Sequence, residues 1–169
     1  VVNNTKYLYV SSGACYVGNL TASQTTANAG SGLITKIDLT TGQPVGMPVV
    51  DYNSRQIGDW PASLADYDDN YFLALVENAG ARRVEKISKA TGESTFYYYG
   101  SVLSAQVRSL FRNSDGSLLV SKSTAVEKLG GSPFGRIVPS GAAANTPWMS
   151  APAGGCTTSA TLVTSAIIL

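Results

Sequence analysis

The stretch Ala81-Arg-Arg-Val-Glu-Lys-Ile-Ser-Lys-Ala-Thr-Gly92 has related copies on both sides of it in the chain. Fifty positions upstream the sequence is Ser31-Gly-Leu-Ile-Thr-Lys-Ile-Asp-Leu-Thr-Thr-Gly42, and fifty downstream it is Pro133-Phe-Gly-Arg-Ile-Val-Pro-Ser-Gly141. Each copy contains a basic residue followed by Ile, and the three basic residues are Lys36, Lys86 and Arg136. A constant spacing of this size is typical of a repeat architecture in which each repeat forms one structural unit.

Each repeated stretch is preceded by two segments of strand composition that are joined by a short polar turn. The third copy has Val107 to Arg112, then Asn113-Ser-Asp-Gly116, then Ser117 to Lys122. Such a pattern predicts a β-hairpin. A turn at Gly42, Gly92 or Gly141 and a fourth extended segment follow each basic-Ile step. We therefore expect four short antiparallel strands in each unit, with no competing helical periodicity.

These motifs resemble those of a broad group of β-propellers. The hairpin Asn113-Ser-Asp-Gly-Ser-Leu-Leu-Val120 and the segment Lys36-Ile-Asp-Leu-Thr-Thr-Gly42 look like parts of blades of the NHL-repeat, gluconolactonase-like, YVTN and quinoprotein-like propellers. The resemblance covers almost the whole chain. It implies an all-β fold with four-stranded antiparallel blades, three per chain. It does not select a function, because these propellers include lactonases, other hydrolases, adhesins and scaffolds.

The expected units divide the chain into three blades. Blade one comprises residues 1–51 with a closing strand at 157–169, blade two comprises 61–99 and blade three comprises 106–150, while 13–32 is an insertion loop. Closed propellers usually have four to eight blades. We therefore expect the ring to be completed by a second copy, whose C-terminal strand is exchanged, or by the remaining part of a longer propeller.

Composition limits the chemistry that the chain can perform. There is no histidine, and the formal net charge is +1. A Ser-His-Asp or Cys-His arrangement is therefore absent from this chain, and nucleic acid is not an expected partner. The apolar end Ala166-Ile-Ile-Leu169 is too short to span a bilayer. The low charge content and the many Ser, Thr, Gly and Tyr residues favour an extracellular, periplasmic or cell-surface location.

Cys15 and Cys156 are the only cysteines. If the innermost strand of blade one comes from the end of the chain, these residues can face each other across the seam. Their residue numbers add to 171, a register that also places Tyr7 opposite Thr164. We expect a disulfide here, within one chain or between two. The alternatives are two unpaired thiols or partners outside this sequence.

Ligand-binding residues are expected where one blade crosses to the next, because those loops converge at one end of a propeller. The candidates are Arg55, Gln56, Asp59 and Trp60 in the first crossing, with Arg108 on the inner strand of blade three. An aromatic ring beside polar groups suits a carbohydrate or protein ligand. The alternative is that Trp60 and Pro61 only fill the space between blades.

The preferred functional interpretation is a secreted or surface-exposed binding or adhesion module without catalysis or a cofactor. One alternative is a hydrolase or lactonase that uses carboxylates and a divalent cation such as Ca²⁺. The Glu, Asn and Asp set of such enzymes does not map onto this chain, where Glu77, Asn78 and Asp59 are the nearest donors. A second alternative is a structural component of an oligomeric surface assembly. The acidic run Asp66 to Asn70 is expected to form a turn rather than a cation site.

Overall fold

The computed structural model describes residues 6–12, 32–52, 59–78, 81–100, 102–103, 107–122, 124–132, 134–150 and 166–168. The described residues form strands and turns, and they contain no helix. The strands make three antiparallel sheets of four or five strands, so the prediction of an all-β chain is confirmed at this level. In the same part of the chain, no helix has the length and apolar character needed to cross a bilayer.

The three sheets follow one another in the sequence, apart from the last strand. Sheet A has the order β14-β1-β2-β3, with β4 also paired to β2; its strands are β1 (Tyr7–Ser12), β2 (Leu33–Asp38), β3 (Gln43–Pro44), β4 (Val50–Asp51) and β14 (Ala166–Ile168). Sheet B has the order β5-β6-β7-β8, with β5 (Trp60–Asp66), β6 (Tyr71–Asn78), β7 (Ala81–Ser88) and β8 (Ser94–Tyr98). Sheet C has the order β12-β11-β10-β9, with β13 also paired to β11; its strands are β9 (Ser109–Arg112), β10 (Leu118–Ser121), β11 (Ala125–Gly130), β12 (Gly135–Ile137) and β13 (Met149–Ser150).

Sheet B is the middle layer, and both of its faces are buried. Along β6, Phe72, Ala74 and Val76 pack against sheet A, while Leu73 and Leu75 pack against sheet C. Successive side chains of a strand point to opposite faces. A strand that is covered on both sides therefore needs apolar residues at every position, which explains the unbroken run from residue 71 to residue 76.

Two cores lie on either side of this layer, and buried aromatic residues occur in the core shared with sheet A but not in the core shared with sheet C. Sheet A contributes Tyr9, Ile34, Val50 and Tyr52 to the first core, and sheet C contributes Val107, Leu110, Leu118, Val120 and Leu129 to the second. Burying a large apolar side chain stabilises a fold by about 1.5–3 kcal/mol. The packing between sheets is thus the main source of stability for the described residues.

The predicted repeat is confirmed in two copies, whereas the prediction for the third copy is wrong, because its basic residue lies on a different strand. Lys36 and Lys86 lie on β2 and β7, which are the third strands of sheets A and B. Arg136 lies on β12, the edge strand of sheet C, and the third strand is β11, which carries Lys128. The match of Arg136-Ile137 to the fifty-residue spacing therefore does not reflect an equivalent place in the fold. The local similarity of Val126-Glu-Lys-Leu129 to Val84-Glu-Lys-Ile87 marks the correct one.

The end of the chain completes sheet A, in a register that differs from the expected one. β14 pairs with β1 of the same chain, with Leu8 opposite Ile168 and Val10 opposite Ala166. The paired numbers, such as 8 and 168, add to 176 rather than 171. The pairing of these strands is thus confirmed, and the register derived from the cysteines is wrong where it can be checked. A shift by an odd number of residues also exchanges the two faces of a strand.

The hairpins contain the turn hydrogen bonds that their sequences predict. The Asp68 carboxylate accepts the backbone N–H groups of Asn70 and Tyr71 at 2.8 and 2.9 Å. The Asp115 carboxylate accepts the N–H of Ser117 at 2.8 Å. Asp side chains stabilise tight turns through such bonds. The acidic run before β6 therefore forms a turn, as expected.

Candidate functional site

A row of three side chains crosses sheet B at the end where the crossing loops begin. Trp60 on β5 lies opposite Glu77 on β6, and Glu77 lies opposite Arg82 on β7. Arg82 donates a hydrogen bond to Glu77 within a salt bridge, and Arg82 is buried. Trp60 is half-buried. The Trp60 indole therefore lies beside the salt bridge between Arg82 and Glu77 at this end of the sheet.

Behind this row lies a buried polar network between sheets A and B. Arg83 donates hydrogen bonds to Asp59 at 2.5 Å and to Glu85 at 2.7 Å. The Tyr52 hydroxyl donates to the other oxygen of Glu85 at 3.1 Å. Burial alone would lower the pKa of Arg83, but hydrogen bonds to Asp59 and Glu85 outweigh it and raise that pKa. Asp59 is 1% exposed, so its carboxylate is buried and accepts the hydrogen bond from Arg83 inside the fold.

The equivalent glutamate of sheet C has a similar environment. Glu127 is buried and accepts hydrogen bonds from Arg136 and from Lys122, the latter at 3.3 Å. Glu85 and Glu127 both precede the recurring lysine of a third strand. The fifty-residue spacing predicts Arg136 on a third strand. Arg136 instead lies on the edge strand β12 and forms a salt bridge with Glu127 on the third strand, β11. These ion pairs join strands, and such buried charges need partners to be tolerated.

The structure places only some of the predicted ligand-binding residues. Asp59 is buried in the network, Trp60 is half-buried at the strand edge, and Arg108 is exposed with its backbone N–H bonded to Ser121. Arg55 and Gln56 lie outside the described residues. Ligand contact at this end stays a prediction for all of them. The same holds for the disulfide, because Cys15 and Cys156 also lie outside the described residues.

At the opposite end of the sheets, a groove of about 640 Å³ separates sheet A from sheet B. It lies where the hairpin before β6 and the turn after β7 face the beginning of β1. Its lining comprises Tyr7, Tyr9, Lys36, Asp69, Asn70, Tyr71, Ser88, Lys89 and Ala90. Small-molecule sites in proteins are typically about 300–1,000 Å³ and combine aromatic surface with a few polar groups. The sequence analysis did not identify this groove.

Lys36 lies in this groove near two tyrosine rings. Its ammonium group lies 3.8 Å from the centre of the Tyr7 ring and 5.9 Å from that of Tyr9. Both distances are within the range of cation–π attraction. Among the described residues, no carboxylate forms a salt bridge with Lys36. The pKa of Tyr9 is raised by burial and then by the nearby Tyr7, so its hydroxyl stays protonated at neutral pH and can donate a hydrogen bond.

The second lysine of the groove is already neutralised. Lys89 is buried and donates hydrogen bonds to the Asp66 carboxylate at 3.0 Å and to the Asp68 carbonyl oxygen. It fixes the hairpin against the turn that follows β7. A ligand in the groove therefore contacts two different lysines. The Lys36 ammonium is near aromatic rings, whereas the Lys89 ammonium is hydrogen-bonded to the oxygens of Asp66 and Asp68.

The corresponding space between sheets B and C is filled by aromatic rings. Lys86 lies 4.3 Å from the centre of the Tyr71 ring and 4.9 Å from that of Tyr67. Tyr67 packs edge-on against Tyr97, which packs against Phe134. The lysine and tyrosine pattern is thus repeated, while an open groove is found between sheets A and B. A tyrosine at the start of a second strand, as at Tyr7 and Tyr71, was the sequence signal for this pattern.

The two ends of sheet B differ in how far their polar groups are already paired. Among the described residues, no three His, Cys, Asp or Glu side chains are grouped as a metal ion would require. The polar groups near Trp60 are engaged in ion pairs, whereas the groove presents tyrosine hydroxyls, amide and carboxylate groups and the Lys36 ammonium.

Comparison with protein-family models, with curated proteins and with solved structures found no match, so a function for this chain rests on its own residues and their geometry.

Proposed function

We propose that the chain is a ligand-binding module of β-propeller type from a secreted or surface-exposed protein. Sheets A, B and C are successive blades in this proposal, and the chain has no catalysis of its own. The ligand binds at the end of the sheets where the loops cross between blades. Trp60 and Arg108 form part of this binding surface, and Arg55 and Gln56, outside the described residues, are further proposed contacts.

The observation that carries the proposal is the order of the faces of successive sheets. The face of sheet A that bears Tyr9 and Lys36 packs towards sheet B, and the face of sheet B that bears Leu73 and Lys86 packs towards sheet C. Each sheet therefore turns the same face to the next one. Radial repetition of this packing is the plan of a propeller.

The first strands of the sheets support the same arrangement. β5 contacts β14, β1 and β2 of sheet A on one side and β9 of sheet C on the other. Ser63 on β5 accepts a hydrogen bond from the Leu110 N–H on β9 at 3.1 Å. In a propeller the first strand of each blade lies nearest the axis, where neighbouring blades are closest.

The outer faces support a ring that continues beyond sheets A and C. On sheet C, Phe111, Leu119, Lys128 and Ile137 form one row across the face that points away from sheet B. On sheet A, Leu8 and Ile37 lie opposite each other on the face away from sheet B. We propose that the first of these faces packs against the second, either in another copy of the chain or in further blades of a longer polypeptide.

Binding to an array of glycans and surface proteins tests the function. We expect a signal that Trp60→Ala reduces and that Phe96→Ala, which removes a 68% exposed ring on β8, leaves unchanged. A signal that is equal for Trp60→Ala and the parent protein would remove the loop end as the ligand face. Stoichiometric Ca²⁺ in the purified protein would instead favour a metal-dependent hydrolase.

A further inference from the structure

The groove between sheets A and B has the chemistry of a second ligand site, at the end opposite the crossing loops. Its polar groups come from four separate places in the chain: the start of β1, the second half of β2, the hairpin before β6 and the turn after β7. Convergence of groups from separate segments in a cavity of about 640 Å³ is typical of a binding site.

The charges of the groove favour a ligand with one negative group. Lys89 is engaged by Asp66 and by the carbonyl oxygen of Asp68, so its charge is already compensated. Lys36 has only tyrosine rings as partners among the described residues. Asp69 also lines the groove, and its negative charge would repel a dianion such as a phosphate monoester more strongly than a monoanion. A single carboxylate at Lys36 is therefore the best match.

The remaining lining favours a sugar. Asp69, Asn70 and Ser88 offer carboxylate, amide and hydroxyl groups that bind vicinal hydroxyls, while Tyr7 presents aromatic surface. A second hollow of about 270 Å³, lined by Val45, Met47, Pro48, Val49 and Thr91, shares Lys36, Lys89 and Ala90 with the groove. The two hollows together provide room for more than one sugar unit.

We propose that this groove binds an acidic sugar, with the ring-held ammonium of Lys36 on its carboxylate and the hairpin residues Asp69 and Asn70 on its hydroxyls. The site deepens the proposed binding function by naming a ligand class, but it requires only sheets A and B. It depends on neither a complete ring nor the loop-end residues. An acidic peptide could offer the carboxylate but not the array of hydroxyls.

Calorimetric titration with galacturonate, which carries one carboxylate, and with its methyl ester tests this site in the full chain. The ester keeps the hydroxyl groups of the acid but replaces its negative charge with a neutral methyl ester. We expect the acid to bind at least about tenfold more tightly than the ester, because only the carboxylate adds charge–charge attraction to its hydrogen bond with the Lys36 ammonium. Added salt should weaken binding of the acid alone. Equal affinities for the acid and the ester, or no binding of either sugar, would overturn the proposal.

Two variants connect the result to the groove. Lys36→Met keeps the aliphatic stem but removes the charge, and it should lower affinity for the acid to that for the ester. Lys86→Met is the matched control, because Lys86 occupies the equivalent place facing sheet C. Asn70→Ala, whose backbone bonds maintain the turn, should weaken both sugars. Unchanged binding by Lys36→Met, or equal binding of a Glu-containing tripeptide, would contradict the assignment. Trp60→Ala should leave binding of the acidic sugar unchanged, because Trp60 lies at the opposite end of the sheets, and this result separates the groove from the loop end.

Discussion

The α-carbon of Gly92 lies against the carbonyl oxygen of Val49, so that a Cβ added to Gly92 would stand 1.8 Å from that oxygen. Gly92 ends the turn after β7 of sheet B, and Val49 precedes β4 of sheet A. The contact therefore fixes the distance between two sheets at the end where the groove opens. Gly92 also has a φ of +70°, which residues with a side chain rarely adopt.

Gly92→Ala should destabilise the protein strongly. A residue with a side chain costs about 1–3 kcal/mol in the left-handed region, and forcing apart a packed contact costs a similar amount. Gly42→Ala is the matched control, because Gly42 has a φ of +69° but nothing within 4 Å of the added Cβ. Urea unfolding should show a loss about 1–3 kcal/mol larger for Gly92→Ala. Equal losses for the two variants would show that the contact between the sheets does not contribute.

Arg83→Met should destabilise the protein more than Arg136→Met. Arg83 forms salt bridges with both Asp59 and Glu85, and removing a cation from buried carboxylates costs about 3–5 kcal/mol. Glu127 keeps Lys122 when Arg136 is replaced, so the second loss should be smaller. Chemical unfolding of both variants measures the difference.

The double variant Arg83→Met, Glu85→Gln tests the reason for that loss. If the buried charge of Glu85 causes the destabilisation, replacing it by a neutral amide should restore part of the stability. A double variant that is no more stable than Arg83→Met would assign the loss to packing of the arginine stem instead.

Much of the strand order could be predicted because it follows from local signals. Hairpin residues such as Asp68 and Asp115 form their turns through bonds to residues two or three positions away, and such bonds are visible in sequence. Gly42, Gly92 and Gly141 all have positive φ, as turn glycines do. The alternating contacts of β6 likewise follow from an apolar run in a strand.

Features that depend on how sheets meet could not be predicted in the same way. The spacing selected Arg136 as an equivalent of Lys86, although Arg136 lies on an edge strand and binds Glu127 across the sheet. The register of β14 on β1 was derived from two cysteines rather than from the apolar pattern. The groove brings Tyr7 and Asn70 together from different sheets, and no local pattern in the chain encodes that distance.

The stability contributed by Asp115 should depend on pH in a narrow acidic range. Hydrogen bonds from Ser117, followed by that from Lys128, lower the pKa of Asp115 from 3.8 to about 2. Because the folded-state pKa is lower than the unfolded one, the contribution is fully present above about pH 4 and is lost as the pH falls through about 2. Asp115→Asn should therefore be less stable than the parent protein at pH 6, with a difference that shrinks below pH 4. A difference that is constant from pH 6 to pH 2 would contradict this origin.

The outer face of sheet C should mediate self-association if a second copy supplies the next blade. Phe111 is 46% exposed and shares a row with Leu119 and Ile137 on the face away from sheet B. Phe111→Lys should abolish dimers in analytical ultracentrifugation while leaving the unfolding midpoint of the monomer unchanged, because Phe111 lies outside both cores. Met47→Lys is the control, since Met47 is 85% exposed and lies beside the turns of sheet A. Dimers that persist in Phe111→Lys would show that the contact lies elsewhere. If the parent protein stays monomeric at high concentration, a second copy does not close the ring, and further blades of a longer polypeptide would have to do so.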